Sequence, residues 1–146
     1  MSRGCAPDVD RASRASGAIV NISCIAARIG SSNVWVHYAA STGALETMSL
    51  GLATEVASKG IRVNVVRCGV IDTEIHAGHG EDRLEALLSK VPMRRMGTPD
   101  EAADAVAYLL ALGDSYVTGS MIDVGADYNL RSSSDRTGSA SDASPP

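Results

Sequence analysis

Leu52-Ala-Thr-Glu-Val-Ala-Ser-Lys-Gly-Ile-Arg-Val-Asn-Val-Val66 holds the end of one structural element and the whole of the next. Leu52 and Val56 close an apolar recurrence that begins at Ala44 and passes through Met48, with Leu45 beside it. A repeat every four residues marks one face of a helix, here spanning about 36–59. Gly60 falls just past the last helical position, where a left-handed cap is expected. Ile61 to Val66 follows at once, and its β-branched run predicts a strand. A glycine-capped helix running straight into a strand is half of a βαβ unit.

The same alternation continues on both sides. Ala18-Ile-Val-Asn-Ile22 is a nearly continuous apolar run after Gly17, which predicts a strand buried on both faces, as in a parallel sheet. Residues 67–80 carry three glycines and read as a loop, followed by a short helix over Glu81–Lys90 with Leu84, Leu87 and Leu88 on one side. Thr98-Pro-Asp-Glu101 combines a capping hydroxyl, a proline suited to the first helical position and an acid that can reach back. It predicts a helix running to about Leu112. Ser120 to Val124 reads as the last strand. Joined by right-handed crossovers, these elements give an α/β fold: part of a doubly wound parallel sheet with three strands and about three helices.

The chain has 146 residues, 45% hydrophobic and 21% charged, with one Trp and no Phe. That suits a single aliphatic-cored domain, placed at 17–127 between a disordered lead over 1–16 and a flexible Ser-rich tail over 128–146. The net charge of −4 offers no broad basic surface for nucleic acid or an anionic membrane. No apolar run is long enough to span a bilayer. Cys5, Cys24 and Cys68 have no C-x-x-C spacing and an odd count, which fits a reducing, cytoplasmic setting better than a disulfide scaffold.

Several segments, in order, resemble one family, the short-chain dehydrogenase/reductases. Gly17-Ala-Ile-Val-Asn-Ile-Ser23 is similar to its fifth strand, Tyr38-Ala-Ala-Ser-Thr-Gly-Ala44 to its catalytic helix and Gly60-Ile-Arg-Val-Asn-Val-Val66 to its sixth strand. Gly69-Val-Ile-Asp-Thr73 resembles the loop that holds nicotinamide. The segments from Pro92 to Glu101 and from Tyr116 to Gly119 resemble the approach to its last helix and strand. His37-Tyr-Ala-Ala-Ser41 looks most like bacterial sugar-dehydrogenase members of the glucose 1-dehydrogenase type. The resemblance covers the family's C-terminal half and implies a Rossmann-type fold and an NAD(P)-dependent oxidoreductase acting on an alcohol or ketone, with a sugar among the candidates. The glycine-rich turn that carries the pyrophosphate lies in the other half of the family pattern. Weak or absent NAD(P) binding is therefore expected of this chain alone.

The resemblance also assigns residues. Tyr38 matches the acid/base that exchanges a proton with substrate. Thr42 stands at the position of the lysine that lowers the phenol pKa, and, uncharged and short, does that work poorly. Cys24 stands at the serine position that hydrogen-bonds the substrate oxygen; a thiol is a weak donor, and Cys24 also reads simply as a small buried hydrophobe. Ser23 is no obvious substitute, because neighbouring strand residues face opposite ways. Gly69, Ile71 and Thr73 match the cofactor-binding positions, Gly69 allowing close backbone approach, although Cys68 replaces the family proline; Thr73 also reads as a cap of the following turn. His76 and His79 read as part of a polar loop rather than a metal site. Asn64, inside a strand, is expected to satisfy backbone groups.

Two alternatives to an active enzyme stay open. One is a catalytically inactive fragment that associates through helix 36–59, whose Ala40, Gly43, Ala44 and Gly51 allow close approach of a second copy. The other is a decaying or incomplete gene product.

Overall fold

The computed structural model describes residues 17–32, 35–76, 80–111 and 116–125. The lead over 1–16, the tail over 128–146, His79 and Leu112 lie outside the described residues.

Three parallel strands form one sheet in the order β1 (Gly17–Cys24), β2 (Ile61–Cys68), β3 (Met121–Val124). Between β1 and β2 come the short α1 (Ala26–Ile29) and the long α2 (Val36–Val56). Between β2 and β3 come α3 (Glu81–Leu88) and α4 (Pro99–Leu110). The expected parallel α/β sheet is therefore present. Among the described residues the sequence pattern missed α1, a single turn closed by Gly30 in the left-handed conformation, and a 3-10 turn over Glu74–His76. A four-residue helix is too short to show a 3.6-residue period.

The local signals explain the boundaries. α2 tightens into a 3-10 turn over Ala57–Lys59, and Gly60 at φ 74° ends it, a conformation that costs a glycine little. α4 opens with a complete capping box: the Glu101 N–H donates to the Thr98 hydroxyl at 3.2 Å, and the Thr98 N–H donates to the Glu101 carboxylate at 2.8 Å. Its far end is closed by Arg62, whose guanidinium donates to the carbonyls of Leu109 and Ala111 at 2.8 and 3.1 Å, favourable for a cation at a helix C-terminus. Asn64 satisfies backbone as expected, donating to the Val117 carbonyl and accepting from the Ser120 N–H.

The core is aliphatic and centred on β2, where Val63, Val65 and Val66 are buried together with Leu109 of α4. β1 departs from the expectation of a strand buried on both faces. Among the described residues it is an edge strand, and Ile19 and Ile22 are 41% and 53% exposed. Continuous apolarity shows that a strand can be covered on both faces, not that it is.

The face of α2 also needs correction. The residues it buries are Ala39, Thr42, Glu46, Ser49 and Ala53, whereas Ala44 and Met48 of the apolar recurrence are exposed and Leu52 and Val56 only half-buried. Polar side chains turn inward because the sheet offers them partners. Asn21 donates to Ser49 at 2.8 Å and Ser23 to Glu46 at 2.7 Å. Apolar periodicity alone picked the solvent face.

Candidate active site

Strand register assembles the site. Cys24 ends β1 and Cys68 ends β2, and the two are direct partners across the sheet. The Ile25 N–H donates to the Cys68 carbonyl at 2.8 Å and fixes that alignment. Tyr38, in the first turn of α2, lies over these strand ends. Its phenol lies close enough to the Cys24 and Cys68 sulfurs to feel both. Trp35 meets its ring edge-on, with centroids 5.8 Å apart at 85°, a favourable geometry for an aromatic pair.

This setting acts on the phenol in one direction. Burial, then the Cys24 sulfur, then Cys68 push the Tyr38 pKa up to about 12. Desolvation disfavours the phenolate, and among the described residues no cation offsets it. Thr42 does not approach the phenol's work: its hydroxyl is turned back to the carbonyls of Tyr38 and Ala39 at 3.0 and 3.1 Å, and the residue is buried against the sheet. Burial, with Cys24 adding to it, also pushes the Cys68 thiol up. At neutral pH the Tyr38 phenol therefore stays protonated.

Gly69 follows Cys68 and donates its N–H to the Val124 carbonyl at 2.8 Å. A Cβ on Gly69 would fall 2.6 Å from Cα of Gly125. The close backbone approach expected of this glycine is thus made to Gly125 at the end of β3. Ile71 pairs with Gly97 in an isolated parallel bridge, reinforced by hydrogen bonds from Asp72 N–H to Gly97 and from Gly97 N–H to Val70. A recess of about 150 Å³ lies beneath, walled by Val70, Ile71, Val91 and Met93. Thr73 is exposed, and its hydroxyl donates weakly, at 3.4 Å, to the Ile71 carbonyl. It is the Thr73 carbonyl, not its side chain, that accepts from His76 and closes the following turn.

Tyr38, Cys24 and Cys68 thus come together, with Gly69 adjoining. Ile71 and Thr73 follow on the same loop, and Thr42 faces away into the sheet. Ser23 points to Glu46 of α2, which leaves Cys24 as the strand residue beside Tyr38.

Beneath the site is a charged cluster that the sequence pattern did not reveal. Arg67 of β2 is buried and grips Glu46 with two hydrogen bonds of 2.8 and 2.7 Å. Its third arm reaches Asp123 of β3 at 2.5 Å, and Arg28 holds the same carboxylate at 2.8 Å. Ser23, Arg67 and Asp123 are register partners across the three strands. The signal available was an arginine directly after the Val65-Val66 pair of β2 and a glutamate one turn beyond Thr42.

Comparison with known proteins identifies the frame. The family model described as enoyl-(acyl carrier protein) reductase matches residues 1–129. The chain is similar to YgfF, an uncharacterized oxidoreductase of Escherichia coli (strain K12), with 52% identity over 109 residues, covering 74% of this chain and 44% of that protein. It is similar to the 3-oxoacyl-(acyl-carrier-protein) reductase FabG of Chlamydia muridarum, with 41% identity over 109 residues, covering 75% and 44%. Among solved structures, a short-chain dehydrogenase/reductase of the glucose/ribitol dehydrogenase type from Brucella melitensis superimposes with a TM-score of 0.71 at 34% identity, covering 77% of this chain and 45% of that one. The chain spans less than half the length of these relatives. The matched residues include both sides of the Tyr38 site, and the chain belongs to the short-chain dehydrogenase/reductase family.

Proposed function

We propose that this polypeptide takes part in NAD(P)-dependent reduction of a ketone to an alcohol, with Tyr38 as the proton donor. The observation that carries the reading is the phenol held protonated over the ends of β1 and β2, next to the Gly69–Thr73 loop. Reductases of 3-oxoacyl groups among the similar proteins favour a carbonyl substrate. Membership of the family favours a nicotinamide cofactor.

The residues fit the nicotinamide end of such a cofactor. Thr73 is exposed with a hydroxyl only weakly engaged, and Ile71 is fixed by its bridge to Gly97. The nicotinamide, when bound, supplies the hydride. Tyr38 donates a hydrogen bond to the carbonyl oxygen and passes its proton as negative charge develops there. Cys24 adds a weak thiol donor on the same side. Ile71 and Thr73 orient the carboxamide.

Among the described residues no glycine-rich turn at a helix N-terminus is present to hold a pyrophosphate. Calorimetric titration of the 146-residue chain with NADPH or NADH is expected to give a dissociation constant above the micromolar range. Sub-micromolar affinity would show that other residues hold the phosphates and that this assignment of the binding groups is wrong.

A second reading concerns assembly. Val36, Ala40, Ala44 and Met48 form an outward stripe at four-residue spacing on α2, all exposed, and Gly51 continues it. An unpaired apolar stripe edged by small residues suits close packing against the same helix of a second copy. Sedimentation is expected to show a dimer, and Met48→Glu to shift it towards monomer by at least tenfold in dissociation constant. A chain that is monomeric at high micromolar concentration sinks this reading.

A further inference from the structure

We propose that Cys24 and Cys68 form a cross-strand dithiol that closes to a disulfide under peroxide, a modification site beside Tyr38. The two residues are direct partners at the ends of adjacent parallel strands. Neighbouring strands run about 4.8 Å apart, inside the 4.4–6.8 Å range of Cα separations that a disulfide bridges. Partners in register project to the same side of a sheet, and Cys24 and Cys68 each interact with the same phenol and with one another. Both are free and only half-buried, so a small oxidant reaches them. The Ile25 N–H bond to the Cys68 carbonyl and the Ala26 N–H bond to Cys24 Sγ, at 2.8 and 3.5 Å, hold the two in place.

The chemistry balances with hydrogen peroxide as oxidant. One thiol takes an oxygen from the peroxide, becomes a sulfenic acid and releases water. The second thiol, as thiolate, attacks that sulfur; the S–S bond forms and the S–O bond breaks, and hydroxide leaves with the second proton as water. Two thiols are oxidised by two electrons, and the peroxide is reduced to two waters. Burial holds the Cys68 thiol above its ordinary range, so closure accelerates as pH rises.

Nothing in this depends on turnover, so it stands apart from the proposed reductase activity. The closed form replaces the thiol beside the Tyr38 phenol with a sulfur that has no S–H, and any activity at Tyr38 is expected to fall with it and return on reduction.

The test uses the 146-residue chain treated with hydrogen peroxide, with remaining thiols alkylated before tryptic digestion. Cleavage after Arg3, Arg11, Arg14, Arg28, Arg67 and Arg83 places the three cysteines on separate peptides, 4–11, 15–28 and 68–83. The expected product is a 15–28/68–83 cross-link two hydrogens lighter than the sum of its peptides, lost on adding dithiothreitol and retained in Cys5→Ser. In Cys24→Ser and Cys68→Ser the remaining thiol is expected to be trapped as sulfenic acid by dimedone. Because the Cys5→Ser chain keeps both partners, it tests the bond even if the other variants fold poorly. Cross-links to Cys5, links only between chains, or oxidation of both thiols to sulfinic acid without a cross-link would each overturn the proposal.

Discussion

Replacing Arg67 by methionine is expected to destabilise the fold by about 3–5 kcal/mol, the usual cost of leaving the partner of a buried ion pair uncompensated. The side chains of Arg67 and Glu46 are only 8% and 11% exposed, so water cannot take the place of the guanidinium. Asp123 keeps Arg28 in the variant, but Glu46 keeps only the Ser23 hydroxyl as a hydrogen-bond partner, with the charge of Arg28 nearby. The loss is a large part of the 5–15 kcal/mol that a typical domain has. Adding Glu46→Leu is expected to recover most of it, because replacing both members of a buried pair with apolar groups is often neutral. Denaturant unfolding of the single and double variants measures both quantities.

The pH dependence gives a second reading of the same cluster. Hydrogen bonding from Arg67 lowers the Glu46 pKa against the opposing effect of burial, with Ser23 helping. A carboxyl whose folded pKa lies below its unfolded value stabilises fully above the unfolded value, about 4.3 for glutamate, and that contribution disappears as pH falls through the folded value. The native chain should therefore lose stability below about pH 4.3. In Arg67→Met the sign reverses. Glu46, buried and unpaired, has its pKa raised, so the gap between variant and native chain is widest at neutral pH and narrows on acidification.

Tyr38→Phe is expected to lower the rate of ketone reduction by about 10²–10⁴-fold, the range associated with a positioned general acid. The ring and its contact with Trp35 survive the change, so folding is expected to be preserved and the loss to appear in kcat. With its pKa pushed up to about 12, the phenol stays protonated throughout the neutral range. Reduction in the native chain should be nearly flat with pH up to about 10. The reverse oxidation of an alcohol, which needs the phenolate, should be slow at neutrality and rise about tenfold per pH unit as the phenolate fraction grows. Initial rates in both directions across that range check it.

The frame of the fold was legible where local chemistry decides it. Gly60 stops α2 because the left-handed turn suits glycine, and Thr98 and Glu101 start α4 because their side chains close the first N–H groups; both can be read from a few neighbouring residues. The family segments similarly led to Tyr38 and Cys24, and the structure brings those two together. What stayed hidden depends on partners far along the chain. The apolar recurrence of α2 marked a helix but not its buried face: Met48 and Ala44 are exposed, and Glu46, Ser49 and Thr42 face the sheet, because Arg67, Asn21 and Ser23 are there to receive them. Cys68 looked like no more than a lost proline until strand register set it beside Cys24. β1 read as a strand covered on both faces because composition records what a strand can bury and not what covers it.

The most direct test of the proposed activity is hydride delivery. The chain is incubated with millimolar NADPH or NADH deuterated at the transferring carbon and with a small 3-oxo ester, and the alcohol product is analysed by mass spectrometry. Alcohol carrying one deuterium at the new carbinol carbon from the native chain, and none above background from Tyr38→Phe, is the predicted result. Absence of labelled alcohol from the native chain, or equal labelling by Tyr38→Phe, would contradict it.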